Sequence, residues 1–135
     1  MSLIGKSRRL LNKRLLGSSH EARACKLLKR RGLRLIESNF HCRRGEIDLI
    51  MLDSESTLVF IEVRFRQNSC YGSAAETVGR RKQERIRMSA SLFLHTNPKY
   101  RKLACRFDVV GISPLPCFEA SSKEFEINWI QNAFF

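Results

Sequence analysis

Two acidic residues interrupt apolar, β-branched runs of this sequence. Asp48 stands in the run Arg-Gly-Glu-Ile-Asp-Leu-Ile, which ends at Ile50, and Glu62 stands in Val-Phe-Ile-Glu-Val-Arg, which ends at Arg64. Both runs are otherwise typical of buried strands. A carboxylate inside such a strand is unfavourable by several kcal/mol unless a cation, a metal ion or strong hydrogen bonds meet it. Asp48 and Glu62 are therefore the first candidates for residues that do chemistry.

The polar stretch Asp-Ser-Glu-Ser-Thr at 53–57 separates these runs and is suited to a hairpin turn. An odd-numbered loop centred there places Asp48 opposite Glu62, and Glu46 opposite Arg64. An even-numbered loop would put Asp48 and Glu62 on opposite faces of the sheet. The hairpin therefore predicts a shared site only if its loop is odd.

Two carboxylates directly across a ladder repel each other. A divalent ion between Asp48 and Glu62 would reverse the sign of that interaction, because hard cations such as Mg²⁺ favour clustered oxygen ligands. The alternative is that each carboxylate pairs with one of the many arginines. The metal-site interpretation has the advantage that it explains why two carboxylates share one place.

The length and charge of the chain indicate one domain with a polyanionic partner. The sequence has 135 residues, with 25 Lys and Arg against 13 Asp and Glu, and a formal net charge of +12. Residues 1–44 hold 13 of the basic residues and only two acidic ones, Glu21 and Glu37. Such a field favours nucleic acid as the partner. A basic surface kept for solubility is the alternative.

The 5 cysteines show no Cys-x-x-Cys spacing, which argues against both a disulfide framework and a zinc ribbon. They are expected to be reduced, mostly buried residues of a cytoplasmic protein. His41 and Cys42 could form half of a metal site, but no second half follows at ligand spacing. No apolar stretch approaches the ~20 residues of a membrane span, so we expect no integral membrane association.

Periodicity and capping residues predict a basic arm over 1–17 and a single domain over 18–135. Ser18-Ser19 and Gly32 bound a first helix over 19–31. The helix, strands, crossover helix and strand that follow predict an α/β fold with a mixed sheet, its helices on both faces or on one. The further predicted elements are a strand over 33–40, a hairpin of 44–52 with 57–66, a loop over 67–75, a helix from Thr77 to about His95, a strand over 104–112 and a short apolar element around Trp129.

Two helical residues are candidates to join the carboxylates. Glu21 lies at i, with Cys25 and Leu28 at i+4 and i+7, so it shares the core-facing stripe of the first helix. Lys82 shares a face of the second helix with Ile86. The alternative for Lys82 is that its stem packs on the apolar face while its ammonium reaches water.

These charged residues have the arrangement of metal-dependent nucleases that cut phosphodiesters. The carboxylates hold Mg²⁺, the metal lowers the pKa of a bound water, and a cation stabilises the charge that develops on the phosphorus. The motifs in and around these positions are Gly-x-x-x-Glu-Ala-x-Ala at 17–24, Gly-Leu at 32–33, Ser-Asn-Phe at 38–40, Gly-Glu-Ile-Asp-Leu-Ile at 45–50, Phe-Ile-Glu-Val-Arg at 60–64, Tyr-Gly at 71–72, Lys82-Gln83 and Cys-Arg-Phe-Asp-Val-Val at 105–110. Together they resemble the bacterial YraN family, whose function is uncharacterised.

That family is assigned to the restriction-endonuclease-like PD-(D/E)xK superfamily and is similar to archaeal Holliday junction resolvases. The resemblance implies a restriction-endonuclease-like mixed β-sheet flanked by helices. It also implies that Glu21 is the helix-borne acid, Asp48 the metal-bridging aspartate and Glu62 the second ligand, for Mg²⁺ or Mn²⁺. Arg64 stands where the superfamily has lysine, and arginine cannot act as a base. Lys82 could project into the vacated position.

The leading hypothesis is a Mg²⁺-dependent nuclease that acts on DNA, including branched or junction DNA, in repair or recombination. The alternative is a non-catalytic nucleic-acid-binding protein that keeps the fold, and a weaker one is a peripheral membrane protein that uses the basic arm and Phe134-Phe135. By analogy with junction resolvases, a homodimer is expected. The residues expected to contact nucleic acid are Arg43, Arg44, Arg66, Arg80, Arg81 and Arg106.

Overall fold

The computed structural model describes residues 20–67, 78–115 and 125–135. The predicted arm at 1–17, Thr77 and all of the 67–75 loop except Gln67 lie outside these ranges. In chain order the elements are helix α1 (His20–Arg30), strands β1 (Arg34–Cys42), β2 (Gly45–Leu52) and β3 (Leu58–Phe65), helix α2 (Arg80–Thr96), a 3₁₀ turn (Pro98–Tyr100) and strands β4 (Cys105–Pro114) and β5 (Phe125–Phe134).

The strands form one mixed sheet in the order β1-β2-β3-β4-β5. Strands β1, β2 and β3 are antiparallel neighbours, β3 and β4 run parallel, and β5 returns antiparallel to β4. The parallel pair is possible because the long connection between β3 and β4 contains α2. The predicted α/β class and mixed sheet are confirmed, and the architecture is consistent with a restriction-endonuclease-like fold.

Each face of the sheet is covered by one helix. Helix α1 buries Ala24, Cys25 and Leu28 against one set of strand residues, which includes Leu49 and Ile61. Helix α2 packs on the other face through three buried residues, Ile86, Ala90 and Phe93. Since side chains alternate across a strand, this arrangement buries β3 on both faces, as expected for a strand with a parallel neighbour.

The boundaries of α1 follow from its sequence. Glu21 lies in the first turn, while Lys29 and Arg30 lie in the last, so the charges complement the helix dipole at both ends. Gly32 adopts φ +95°, a left-handed conformation that ends the helix. The predicted range of 19–31 is confirmed to within a residue at each described end.

Helix α2 begins later than the sequence predicts. Its first residue is Arg80, and Gly79 takes the N-cap position without a side-chain hydrogen bond. The prediction that Thr77 caps the helix is wrong, because the chain is still extended at Gly79 (ψ 168°). The helix thus starts on three basic residues in succession.

The C-terminal element is also longer than predicted. In place of a short apolar element around Trp129, the structure has the ten-residue strand β5, paired with β4 from Pro114↔Phe125 to Phe107↔Phe134. A register shift interrupts this ladder next to Asp108.

The cysteines in the described ranges, Cys25, Cys42 and Cys105, are free thiols. Burial agrees with the prediction for Cys25, whereas Cys105 is exposed. No helix within the same ranges is long and apolar enough to cross a bilayer.

Candidate functional site

The carboxylates of Asp48 and Glu62 meet where strands β2 and β3 separate. The ladder between them runs from Leu52↔Leu58 to Leu49↔Ile61, and Asp48 and Glu62 are the next residues in that register. There the Asp48 Oδ2 atom accepts a hydrogen bond of 2.8 Å from the backbone N–H of Val63. The side chain thus takes over a donor that a continued ladder would have used.

The hairpin loop explains this register. Asp53 and Thr57 close the loop, with Asp53 N–H donating to Thr57 O at 3.0 Å. The predicted odd loop at 54–56 is confirmed. The ladder does not extend to the predicted Glu46–Arg64 pair; Glu46 instead pairs with His41 of β1, and their side chains are 3.3 Å apart.

Glu62 is buried and contacts two cationic side chains. Only 4% of the residue is exposed. Its Oε1 atom is 3.3 Å from the Nζ of Lys82 and 3.8 Å from the Nε of Arg64. Its Oε2 atom is buried and has no hydrogen-bond partner within the described residues. One oxygen of Glu62 is therefore held by cations, while the other is available to a ligand.

The surroundings of Asp48 disfavour its ionised form at neutral pH. Burial, followed by the charge of Glu62, raises the pKa of Asp48 from its ordinary value of 3.8 to about 8. The Val63 N–H opposes this shift, whereas the charge of Glu21 and a hydrogen bond with Glu62 add to it. Ionised Asp48 is consequently unfavourable beside the charge of Glu62 unless a further cation binds between them.

Glu21 lies near Asp48 and Glu62 but is not grouped closely with them. It lies in the first turn of α1 and is near enough for its charge to raise the pKa of Asp48. Across the part of the chain that the structure describes, no three His, Cys, Asp or Glu side chains are grouped closely enough to hold a metal ion. The acids that the structure brings together are therefore the pair Asp48 and Glu62.

This pair fits a hard divalent cation on the chemistry of its donors. Two carboxylates on neighbouring strands repel each other, and the buried Glu62 Oε2 atom accepts no hydrogen bond from the part of the chain that the structure describes. Mg²⁺ and Mn²⁺ prefer such oxygen ligands. His41 and Cys42 do not fit: His41 contacts Glu46, and Cys42 Sγ donates to Ser89 Oγ at 3.3 Å.

Lys82 connects the carboxylates to the surface. Its side chain is 33% exposed and its ammonium contacts Glu62, so it points toward the site and not away from it. The same lysine lines a cavity of about 440 Å³ that Arg43, Arg44 and Arg85 also line. A phosphate in this cavity would meet several cations on its way to Glu62.

The start of β2 packs closely against α2 at this cavity. Gly45 adopts φ +154°, and a Cβ atom there would lie 3.2 Å from Arg85 Cβ and 3.4 Å from Ser89 Oγ. A side chain at Gly45 would push the β1–β2 turn away from the helix. The glycine thus sets the spacing between Arg44 and Arg85.

The other predicted phosphate-binding residues are placed differently. Arg81 lines a cavity of about 330 Å³ next to Arg43, Arg44 and Arg85. Arg80 is exposed in the first turn of α2, and the backbone of Arg66, just beyond β3, donates to Ile112 O. The structure therefore groups Arg43, Arg44 and Arg81 around the cavities at the site, whereas Arg80 and Arg66 line none of the three cavities described at this groove.

Arg106 belongs to a different cluster. Its Nε atom lies 3.1 Å from both oxygens of Asp108, and its Nη1 atom lies 2.8 Å from Asp53 Oδ2. Its side chain is 14% exposed. In the β3–β4 ladder Arg106 faces Val59, three residues before Glu62. A phosphate contact by Arg106 would have to compete with two carboxylates.

Two residues at this cavity, Arg85 and Gly45, are not among those predicted from the sequence. Arg85 lies four residues after Arg81 on α2, and i, i+4 spacing was sufficient to place it on the same face. Gly45 gave no local signal, because its close contact is with a helix 40 residues further along the chain.

Comparison with known proteins agrees with the sequence motifs. A model of the uncharacterised protein family UPF0102 matches residues 20–112. The UPF0102 protein of Alcanivorax borkumensis is 46% identical over 93% of this chain and 96% of its own length. That of Ectopseudomonas mendocina is 47% identical over 88% and 93%, and that of Pseudomonas aeruginosa 42% over 87% and 90%.

Proposed function

This chain belongs to the uncharacterised protein family UPF0102, which is the YraN family, and we propose that it is a metal-dependent nuclease that acts on DNA in the cytoplasm. The observation that carries the proposal is the buried pair of Asp48 and Glu62, in which the Oε2 atom of Glu62 has no hydrogen-bond partner among the described residues. A protein that only binds phosphates gains nothing from carboxylates beside its basic groove, because they repel the ligand.

Asp48 and Glu62 would hold Mg²⁺ or Mn²⁺, with Glu21 adding negative charge from α1. The ion would supply an activated water and neutralise charge on the scissile phosphate. Arg64 and Lys82, both on the Glu62 Oε1 atom in this structure, would turn to the phosphate. Arg64 holds a charge but cannot act as a base, so its role would be to bind the phosphate.

The resemblance to junction resolvases supports branched or four-way-junction DNA as the substrate, in repair or recombination. The grouping of Arg43, Arg44, Arg81 and Arg85 next to Lys82 supports a backbone contact of several phosphates. Such a contact with the DNA backbone does not depend on base sequence, as expected for a structure-selective enzyme.

Cleavage assays test the proposal on linear, nicked and four-way-junction DNA with Mg²⁺ or Mn²⁺. We expect metal-dependent cleavage that falls by roughly a hundredfold or more in Glu62→Gln, the scale for loss of one electrostatic contact in the transition state. Glu55→Gln, in the exposed hairpin loop, is the matched control and should cleave like wild type. Cleavage that persists in Glu62→Gln would rule this site out.

One observation favours a second function, a non-catalytic nucleic-acid-binding protein. Glu62 is already paired with Lys82 and Arg64, so its charge can be explained by ion pairs alone. This function predicts that wild type binds every DNA substrate and leaves each one intact with either metal.

A further inference from the structure

One face of α2 changes from cationic to apolar along its length. Arg81, Arg85, Met88 and Leu92 follow one another at spacings of four, three and four residues, so they form a single stripe. Met88 and Leu92 are 45% and 39% exposed, although both are large apolar side chains. The stripe therefore presents an apolar shelf next to two arginines.

Three adjoining cavities make this stripe one wall of a groove. Cavities of about 440, 330 and 540 Å³ all include Arg43 and Arg44 of the β1–β2 turn, which form the opposite wall. The first reaches Lys82, and the last is lined by Met88, Leu92 and His95. At ~1.5 Å per helical residue, the groove extends about 20 Å from the Lys82 end.

The start of α2 is electrostatically unfavourable in the absence of an anion. Arg80, Arg81 and Lys82 occupy the first turn, which has no acidic residue, and Gly79 provides no side-chain cap. Cations at this end oppose the helix dipole, whereas a phosphate there interacts favourably with both the dipole and the basic side chains. Helix α1, with Glu21 in its first turn, has the ordinary arrangement.

We propose that this groove binds an unpaired stretch of the DNA chain, with its backbone phosphates on Arg43, Arg44, Arg81 and Arg85 and a base on the Met88–Leu92 shelf. The inference rests on the proposed function, since the groove leads to Lys82 and Glu62, and it narrows the substrate to DNA with single-stranded character. A nucleotide combines the two surfaces that the groove offers, because its phosphate is anionic and its base has an apolar face.

Charge argues against a second copy of this chain as the occupant. Each copy carries a formal charge of +12, and a contact between two grooves would bring together two surfaces that each hold Arg43, Arg44, Arg81 and Arg85. Two exposed apolar side chains also fall far short of the ~800 Å² per partner that a stable interface buries.

Fluorescence anisotropy on the full chain in EDTA tests the inference with three DNA ligands of one length. These are a single strand, the same strand with abasic central nucleotides, and a duplex. We expect wild type to bind the base-bearing strand roughly tenfold more tightly than the abasic one. The double variant Met88→Ser/Leu92→Ser should lose that preference while keeping its affinity for the duplex. Leu115→Ser, which removes an apolar side chain of similar exposure (38%) outside the groove, should bind like wild type.

Equal affinity of wild type for base-bearing and abasic strands would overturn the inference. So would a wild-type dimer, measured by light scattering, that the Met88→Ser/Leu92→Ser change converts to monomers, because the shelf would then join two copies. Binding in EDTA requires no cleavage, so the two proposals fail separately. Lost base preference with intact cleavage rejects this inference alone, and absent cleavage with intact preference rejects the nuclease alone.

Discussion

The carboxyl group of Asp48 remains protonated at a pH where exposed aspartates are ionised. Burial and the charge of Glu62 raise the pKa of Asp48 to about 8. Asp53, on the same hairpin, shows the opposite shift. Burial alone would raise its pKa, but hydrogen bonds from Thr57, Arg106 and Glu55 lower it. The two aspartates therefore contribute to stability with opposite dependence on pH. Ionised Asp48 destabilises the folded state, whereas ionised Asp53 stabilises it.

Asp48→Asn should make the protein more stable above pH 5. The unfolded chain releases the Asp48 proton near pH 4, while the folded chain keeps it to about pH 8, so wild-type stability falls as pH rises through this window. The loss is at most about 1.4 kcal/mol per pH unit. Asparagine still accepts from Val63 but cannot ionise. We expect a melting temperature that equals wild type near pH 4 and exceeds it by up to roughly 5 °C more for each pH unit toward pH 8.

The same thermal scans should be repeated with Mg²⁺ and Mn²⁺. The ions should stabilise wild type and have no effect on Asp48→Asn, because one of the two carboxylates is lost. Asp53→Asn is the control, which should lose stability at neutral pH and keep its response to metal. A loss of about 3 kcal/mol or more in Asp48→Asn would mean that Asp48 neutralises a buried cation, and would defeat the metal site.

Arg64 and Lys82 should differ in what their replacement does to catalysis. Arg64→Lys keeps a cation beside Glu62 and should preserve or increase metal-dependent cleavage. Lys82→Ala removes the ammonium 3.3 Å from Glu62 and should lower the cleavage rate by roughly a hundredfold or more. Single-turnover cleavage measures both, with Lys102→Ala, an exposed lysine outside the groove, as the control. If Lys82→Ala cleaves like Lys102→Ala, the role given to Lys82 is wrong.

Among the elements, the hairpin was the most predictable from sequence. Its loop residues are polar, its strands are apolar, and the period of two then dictates that Asp48 and Glu62 share a site. Helix α1 could also be predicted, because Glu21, Lys29, Arg30 and Gly32 are local signals. Local signals were sufficient wherever residues close in sequence decide the structure.

The full length of strand β5 could not be predicted, because distant residues hold it in place. Strand β5 is held by Asp108 of β4, which accepts hydrogen bonds from Trp129 Nε1 at 2.9 Å and from Asn132 N at 3.0 Å. The alternation of apolar and polar residues in this segment is too weak to predict the whole strand. The proximity of Lys82 to Glu62 likewise depends on how α2 packs, and sequence left its orientation open.

The Asp108 cluster should be a structural support of the sheet. Arg106→Leu leaves Asp108, fully buried, and Asp53 without their cation, so we expect a loss of roughly 3 kcal/mol or more in the free energy of unfolding. Trp129→Phe removes one donor to a carboxylate and should lose about 1.5–3 kcal/mol. Urea denaturation measures both. Weaker DNA binding by Arg106→Leu at unchanged stability would instead support the phosphate contact predicted from sequence.

At the scale of the whole molecule, the chain has a formal net charge of +12, and Arg43, Arg44, Lys82 and Arg85 line the cavity beside the site. Neutralising about five phosphates should give log affinity for DNA a slope near −4 to −5 against log salt concentration. Arg43→Gln/Arg44→Gln should reduce that slope by about 2, whereas Arg34→Gln, an exposed arginine outside the groove, should leave it closer to wild type. A flat salt response would exclude the nucleic-acid function altogether.

Asp48 and Glu62 lie on consecutive strands joined by a short loop, and this has a consequence for the rate of folding. The β2–β3 hairpin consists of contacts close in sequence, whereas the parallel β3–β4 pair must wait for closure of a long loop. If the hairpin forms before the folding transition state, the two carboxylates meet early, and their repulsion slows folding more than it speeds unfolding. In stopped-flow refolding, Asp48→Asn should then fold faster than wild type at pH 8 and unfold at nearly the same rate.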